Sequence, residues 1–243
     1  MKLSYEEEKK LEGKEGKGRQ KAIEILVALG NIYGAENLIP VKSVQVSGVS
    51  YKNLGDAGLE FLEEWADSGA KICVNTTLNP AGMDLEHWQN IGFSEDFAKK
   101  QLKVISAFAK FGIEPVCSCT PYFIGNKPEF GDHIAWAESS AISFANSVLG
   151  AMTNREGGPS ALASAIIGKT ANYGLHLAEN RFSEHLINVN CKLKDESDYG
   201  ALGYLTGKKI SGIPYFKGIK NPTIDQLKTL GAAMAASGGI ALY

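Results

Sequence analysis

Apolar residues recur at three- and four-residue intervals between Arg19 and Tyr33, at Ala22, Ile23, Ile25, Leu26 and Leu29. That spacing predicts an amphipathic helix stopped at Gly34. A charged, glycine-bearing stretch from Glu12 to Gly18 separates it from a short first helix. Three similar units follow. Ile39 to Val46 reads as a strand, Ser47-Gly48-Val49-Ser50 as a loop and Asp56 to Asp67 as a helix. Ala70 to Val74 reads as a second strand, followed by the polar loop Asn75 to Gly82 and a helical stretch from Asp84. Ser94 is placed to cap a helix running to about Lys110, with Glu95 and Asp96 favourable in its first turn. Ile113 to Val116 reads as a third strand that ends at Cys117-Ser118-Cys119.

Farther along, the Ala- and Ser-rich stretch from Ile134 to Leu149 predicts a closely packed, buried helix. Gly157-Gly158-Pro159 punctuates the chain before a second small-residue helix, Ser160 to Ile167, and any subdivision is expected near 150–160. Leu186 to Leu193 reads as a strand, and Thr223-Ile224-Asp225-Gln226 as a capping box opening a helix to about Ala236. Ser237 to Tyr243 reads as a helix cap and the first residues of a buried strand, so the chain is expected to be part of a longer protein. Strands alternating with amphipathic helices predict an α/β fold, a mostly parallel sheet with flanking helices and right-handed crossovers. In such a sheet the loops after the strands gather on one edge, where ligands bind.

Composition narrows the function. A hydrophobic fraction of 44% and a charged fraction of 21% over 243 residues are those of a globular protein. The net charge of −2 and the lack of a basic stripe argue against nucleic acid as a partner. No apolar run is long enough to cross a bilayer, and the acidic start, Met1 to Glu8, lacks the apolar core of a secretory signal. Four cysteines (Cys73, Cys117, Cys119 and Cys191) are sparse for a disulfide scaffold and suit a reducing cytoplasm.

Cys117 and Cys119 carry the most chemistry. A C-x-C pair on an extended segment points both thiols the same way, as zinc, copper or iron–sulfur centres require. Buried cysteines are otherwise small hydrophobes, and Cys73, inside a predicted strand, reads as core. Gly48 lets a ligand approach the backbone, and free N–H groups before a helix suit an anion, although an ordinary βα turn uses the same residues. Thr76, Thr77, Asn79 and Pro80 can orient a polar substrate or cap the following helix. Glu138, among small residues near a helix start, is suited to hold or donate a proton. Arg155 suits a carboxylate or phosphate, or pairs with Glu156. His87, His133, His176 and His185 lack metalloprotease spacing, and no hydrolase motif surrounds a serine.

Taken together these segments resemble the large subunit of the aconitase X family, a hydro-lyase branch of the aconitase superfamily. The resemblance rests on Ile39-Pro40-Val41-Lys42-Ser43, Ser47-Gly48-Val49-Ser50-Tyr51-Lys52, Gly55-Asp56-Ala57-Gly58, Thr76 to Met83, Cys117 to Tyr122, Gly131 to Ser140 and Thr153 to Ser160, in order along nearly the whole chain. It implies a three-layer aconitase-like arrangement and an archaeal route to isoprenoids, in which (R)-5-phosphomevalonate loses water to give trans-anhydromevalonate 5-phosphate. Dehydration of cis-3-hydroxy-L-proline is the alternative within the family; a cluster-free binding protein is the alternative outside it. Carried over by position, Gly48, Val49, Ser50, Asn79, Pro80, Glu138 and Ser139 are substrate residues, and Glu138 is also the catalytic candidate. Cys119 is a ligand of an iron–sulfur cluster, expected to be 4Fe-4S, with Cys117 its weaker neighbour; Thr76, Thr77 and Arg155 are second choices for the site. The resemblance places the remaining cluster cysteines beyond Tyr243. It places the serine base on a swivelling domain carried by a separate small subunit. The expected assembly is therefore a heterodimer, and these residues alone hold neither a complete cluster site nor the base.

Overall fold

The computed structural model describes residues 1–243. Two helices open the chain, α1 (Tyr5–Leu11) and α2 (Lys17–Ile32). Ser4 and Glu7 cap α1 reciprocally. Helix α2 buries the predicted stripe, with Ala22, Ile23 and Leu26 fully enclosed. The single strand predicted over 39–46 is two. Strand β1 (Leu38–Pro40) and strand β2 (Ser43–Val46) belong to different sheets. Pro40 has no N–H to extend a ladder. Val41 and Lys42 turn away to donate to Gly168 O and His133 O.

Strand β2 is the middle of a three-stranded parallel sheet, between β3 (Asn75–Leu78) and β4 (Ala135–Trp136). All four β2 side chains are buried, as expected of a strand covered on both faces. The strand predicted at Ala70 to Val74 lies one segment too early. Ile72 and Cys73 give their N–H groups to Phe111 O and Ala165 O, outside any ladder. The ladder starts at Asn75, opposite Ser43, so the expected polar loop is the strand itself and Thr76 and Thr77 are buried in it. Cys73 is exposed rather than core. The strand predicted at Ile113 to Val116 does not form; its trace is one parallel bridge, Leu78 to Cys117.

Helices α3 (Tyr51–Asp67) and α4 (Glu95–Lys110) pack on each other, and α6 (Gly158–Ile167) packs on β2 and α2. The single helix predicted over 134–149 also divides. Ala135 and Trp136 form β4, Glu138 caps α5 (Ser139–Phe144), and a π-helical turn covers Ala145–Leu149. Strand β5 (Lys169–Ala171) pairs antiparallel with β1. Leu62, Trp65, Phe108, Phe111, Leu162 and Ile166 fill the main core between these elements.

The last third pairs β6 (His185–Asn188) with β7 (Pro214–Lys217) in parallel and packs α7 (Glu196–Lys209) on α8 (Ile224–Gly238). The strand predicted to reach Leu193 ends at Asn188. The Thr223–Gln226 capping box opens α8 as expected. Tyr199, Leu230, Met234 and Ile240 form a small core of their own.

Candidate functional site

Parallel strands end their C-termini on the same edge, and here three of them do. The register Val46–Leu78 sets Ser47 beside Asn79, and the Asn79 N–H donates to Val46 O at 2.8 Å. On the other side Gln45 pairs with Trp136, two residues before Glu138. Next to β3, Ser118 N–H donates to Leu78 O at 2.8 Å. The loops carrying Gly48 to Ser50, Asn79 and Pro80, Glu138 and Ser139, and Cys117 to Cys119 therefore line one rim.

The β2 loop has the geometry of an anion cradle. Gly48 stands at φ +80°, a conformation that L side chains resist. The N–H groups of Gly48, Val49 and Ser50 donate to no group of the chain. Ser50 is the N-cap residue of α3, but its hydroxyl makes no capping bond. Unclaimed backbone donors clustered in the turn after a strand attract phosphate and carboxylate. Opposite them, Asn79 Oδ1 is buried without a hydrogen-bond partner. An unpaired buried acceptor is costly unless a ligand or water satisfies it.

Glu138 holds the start of α5. One carboxylate oxygen accepts from Ala141 N–H and from Ser140 Oγ, both at 2.6 Å. Ser139 follows it, half-buried, in the first turn. Three residues after Cys119, Tyr122 is buried and stacked on Phe144 at 4.2 Å. Burial raises its phenol pKa first, and the charges of Cys119, Glu138 and Asp225 raise it further.

The two cysteines differ. Cys119 is exposed on the rim. Cys117 is half-buried against Pro80, Ala81 and Pro115. Burial pushes the Cys117 thiol up, opposed by a hydrogen bond from Ala81 N–H. Residue 118 between them is held from both sides, since Gln45 Nε2 donates to Ser118 O at 2.8 Å. The donor set that fits one corner of an iron–sulfur cluster is a single accessible thiol, Cys119, two residues past the Leu78–Cys117 bridge. No group of three or more His, Cys, Asp or Glu side chains here is arranged to hold a metal ion alone.

Several expected roles are not supported by position. Thr77 Oγ1 accepts from Asn126 Nδ2 at 3.0 Å and Thr76 Oγ1 donates to Val74 O at 2.9 Å, so both threonines are structural. Arg155 does not pair with Glu156. Glu156 is buried and accepts from the hydroxyls of Ser160 and Thr170, while Arg155 is exposed.

Sequence reasoning missed Gln101. Its side chain is fully buried and touches both the β2 and β3 loops. A signal existed: Gln101 interrupts the buried stripe Ala98, Val104, Ala107 and Phe108 of α4. A polar residue on an apolar stripe demands a partner.

The rim of this α/β chain thus joins unclaimed backbone amides, an unpartnered amide oxygen and one exposed thiol. Among family profiles, "Aconitase X first domain" matches residues 1–179 and "Aconitase X second domain" matches residues 183–243. The chain belongs to the aconitase X family. Among its relatives, the protein called phosphomevalonate dehydratase large subunit in Methanocaldococcus jannaschii is 60% identical, covering 100% of this chain and 62% of the relative. Its counterpart in Thermococcus kodakarensis is 57% identical, covering 100% and 61%. A cis-3-hydroxy-L-proline dehydratase from Pseudomonas aeruginosa is more distant, at 33% identity over 96% of this chain and 40% of that protein. The crystal structure of Thermococcus kodakaraensis aconitase X in its holo-form superposes with a TM-score of 0.94 at 56% identity, covering all of this chain and 61% of that one. The chain spans about three fifths of the length of these archaeal relatives.

Proposed function

We propose that the chain is the N-terminal part of a dehydratase large subunit that removes water from (R)-5-phosphomevalonate to give trans-anhydromevalonate 5-phosphate. The observation that carries the reading is the shared rim. Unclaimed amides at Gly48 to Ser50 face the same edge as the unpartnered Asn79 Oδ1 and the accessible Cys119. The names of the archaeal relatives supply the substrate, and their higher identity favours it over a hydroxyproline.

In this reading the amides of Gly48, Val49 and Ser50 hold an anionic group of the substrate, and Ser50 Oγ adds a donor. Asn79 Oδ1 accepts a hydrogen bond from the substrate, and Pro80 shapes the wall beside it. Ser139 orients the substrate's other end, and Glu138 holds or donates a proton near the departing hydroxyl. Cys119 binds one corner of an iron–sulfur cluster, of the 4Fe-4S type, whose other ligands lie outside residues 1–243. When bound, the cluster supplies a Lewis acid for that hydroxyl. The proton next to the carboxylate goes to a base on a small subunit, a partner that the relatives' "large subunit" names support. That subunit carries the swivelling domain. A cytoplasmic location belongs to the same proposal.

The test uses the full-length large subunit with its small subunit, reconstituted anaerobically with iron and sulfide. Incubation with (R)-5-phosphomevalonate yields the unsaturated product, whereas cis-3-hydroxy-L-proline is left unchanged. Cys119→Ala abolishes the broad visible absorption of the cluster. Turnover of the hydroxyproline alone would overturn the substrate assignment, and full colour in Cys119→Ala would remove the ligand.

A further inference from the structure

Helix α3 does not hold its own first turn in place. Gly55 breaks it with φ +63° and ψ −172°, so Tyr51 to Leu54 form a turn detached from the helix that follows. That turn begins at Ser50, at the anion cradle. Helix continuity cannot orient it, and helix α4 takes over the task. Gln101 Oε1 accepts from Tyr51 N–H at 2.9 Å and from Gly82 N–H at 3.1 Å, and Gln101 Nε2 donates to Val49 O at 2.8 Å. Its neighbour Lys100 pairs with Asp56 at 3.3 Å, and Asp56 accepts from Tyr51 Oη at 2.6 Å. One amide side chain therefore joins the loop after β2 to the loop after β3.

We propose that Gln101 is a positioning residue that locks the Gly48–Ser50 and Asn79–Gly82 loops into a single binding edge. This rests on the proposed function for its kinetic consequence, but not for the coupling itself. Gln101 lies behind the loops, fully buried, with its amide spent on their backbone. A fully buried amide with three hydrogen bonds, all to backbone of two functional loops, is a preorganising element rather than a filler of the core. Loss of the amide frees both loops, and a misplacement of about 1 Å at such an edge costs on the order of 100-fold in catalytic efficiency.

The test compares Gln101→Leu, Gln101→Glu and Gly82→Ala in the full-length complex. Gly82→Ala strikes the junction from the other side, because a Cβ there would stand 2.3 Å from Ser50 Oγ and 2.9 Å from Gln101 Oε1. Two readouts are taken, KM and kcat for (R)-5-phosphomevalonate, and hydrogen exchange at the Tyr51 and Gly82 amides. Gln101→Leu raises KM and speeds exchange at both amides. Gln101→Glu keeps both amides protected, since its carboxyl oxygens still accept from them, and recovers KM only at low pH, where a protonated carboxyl donates to Val49 O; KM rises as the carboxylate forms and faces that carbonyl. Gly82→Ala raises KM with little change in melting temperature. Unaltered exchange at both amides in folded Gln101→Leu, or a wild-type KM in Gly82→Ala, overturns the proposal. If Gln101→Leu does not fold, the pH dependence of Gln101→Glu decides, and a flat profile at the wild-type KM refutes it. An inactive wild-type complex would count against the proposed reaction, whereas the exchange data would still decide the coupling.

Discussion

Burial pushes the His176 imidazole down to about 3, aided by the nearby charges of His133 and Arg181. Its Nδ1 faces His133 Nδ1 at 3.0 Å, so the two rings share one hydrogen bond and at least one ring is neutral at that contact. The sign of the pH effect follows. An unfolded histidine takes a proton near its ordinary value of 6.5, while the folded chain refuses it. The contribution of His176 is full above pH 6.5 and is lost as pH falls toward about 3. Glu156 tilts the other way, since burial raises its carboxyl and its contribution fades as pH rises through the shifted value. Urea unfolding between pH 6.5 and pH 4 is expected to show falling stability, with a shallower slope in His176→Asn. Equal slopes in the two proteins would show that another group governs the acid limb. The pairing of His176 was not legible in the sequence, because a histidine's partner 43 positions away has no local signature.

The kink in α3 is the element on which the cradle turns. Its backbone at Gly55 lies in a region open essentially to glycine alone, so Gly55→Ala is expected to cost about 1–3 kcal/mol. Urea unfolding measures the loss, and KM rises in parallel because the first turn shifts. Unchanged stability would mean that the turn relaxes into a continuous helix without penalty. Helices α4 and α8 were legible in advance because Ser94 and Thr223 both cap where their spacing predicts. Helix α7 was not. It buries Tyr199, Gly203, Thr206 and Gly207 rather than an apolar stripe, and its glycines let it approach α8 closely, with a Cβ on Gly203 only 2.4 Å from Leu230 O. Apolar spacing cannot report a contact made by glycine. Strand β3 was misplaced for the opposite reason. The apolar run Ala70 to Val74 looked like the strand, while the pairing falls on Asn75-Thr76-Thr77-Leu78, whose threonines are satisfied inside the sheet.

At the scale of the whole molecule, the α/β class, the parallel sheet and the gathering of loops at one edge were all readable from alternation and loop chemistry. The candidate site residues came from the family resemblance, and the structure brings their loops to one edge. The tie between their loops was not readable, since Gln101 looks like one more polar residue on an amphipathic helix. The central claim is that the cradle at Gly48 to Ser50 and the thiol of Cys119 face one bound molecule. It is tested most directly by thiol alkylation of the cluster-free, full-length complex, followed by mass spectrometry of each cysteine peptide. Cys191, exposed in the last third of the chain, serves as the internal control. Saturating (R)-5-phosphomevalonate is expected to slow alkylation of Cys119 and leave Cys191 unaffected. Alkylation of Cys119 at the same rate with and without the phosphorylated acid would contradict the shared site.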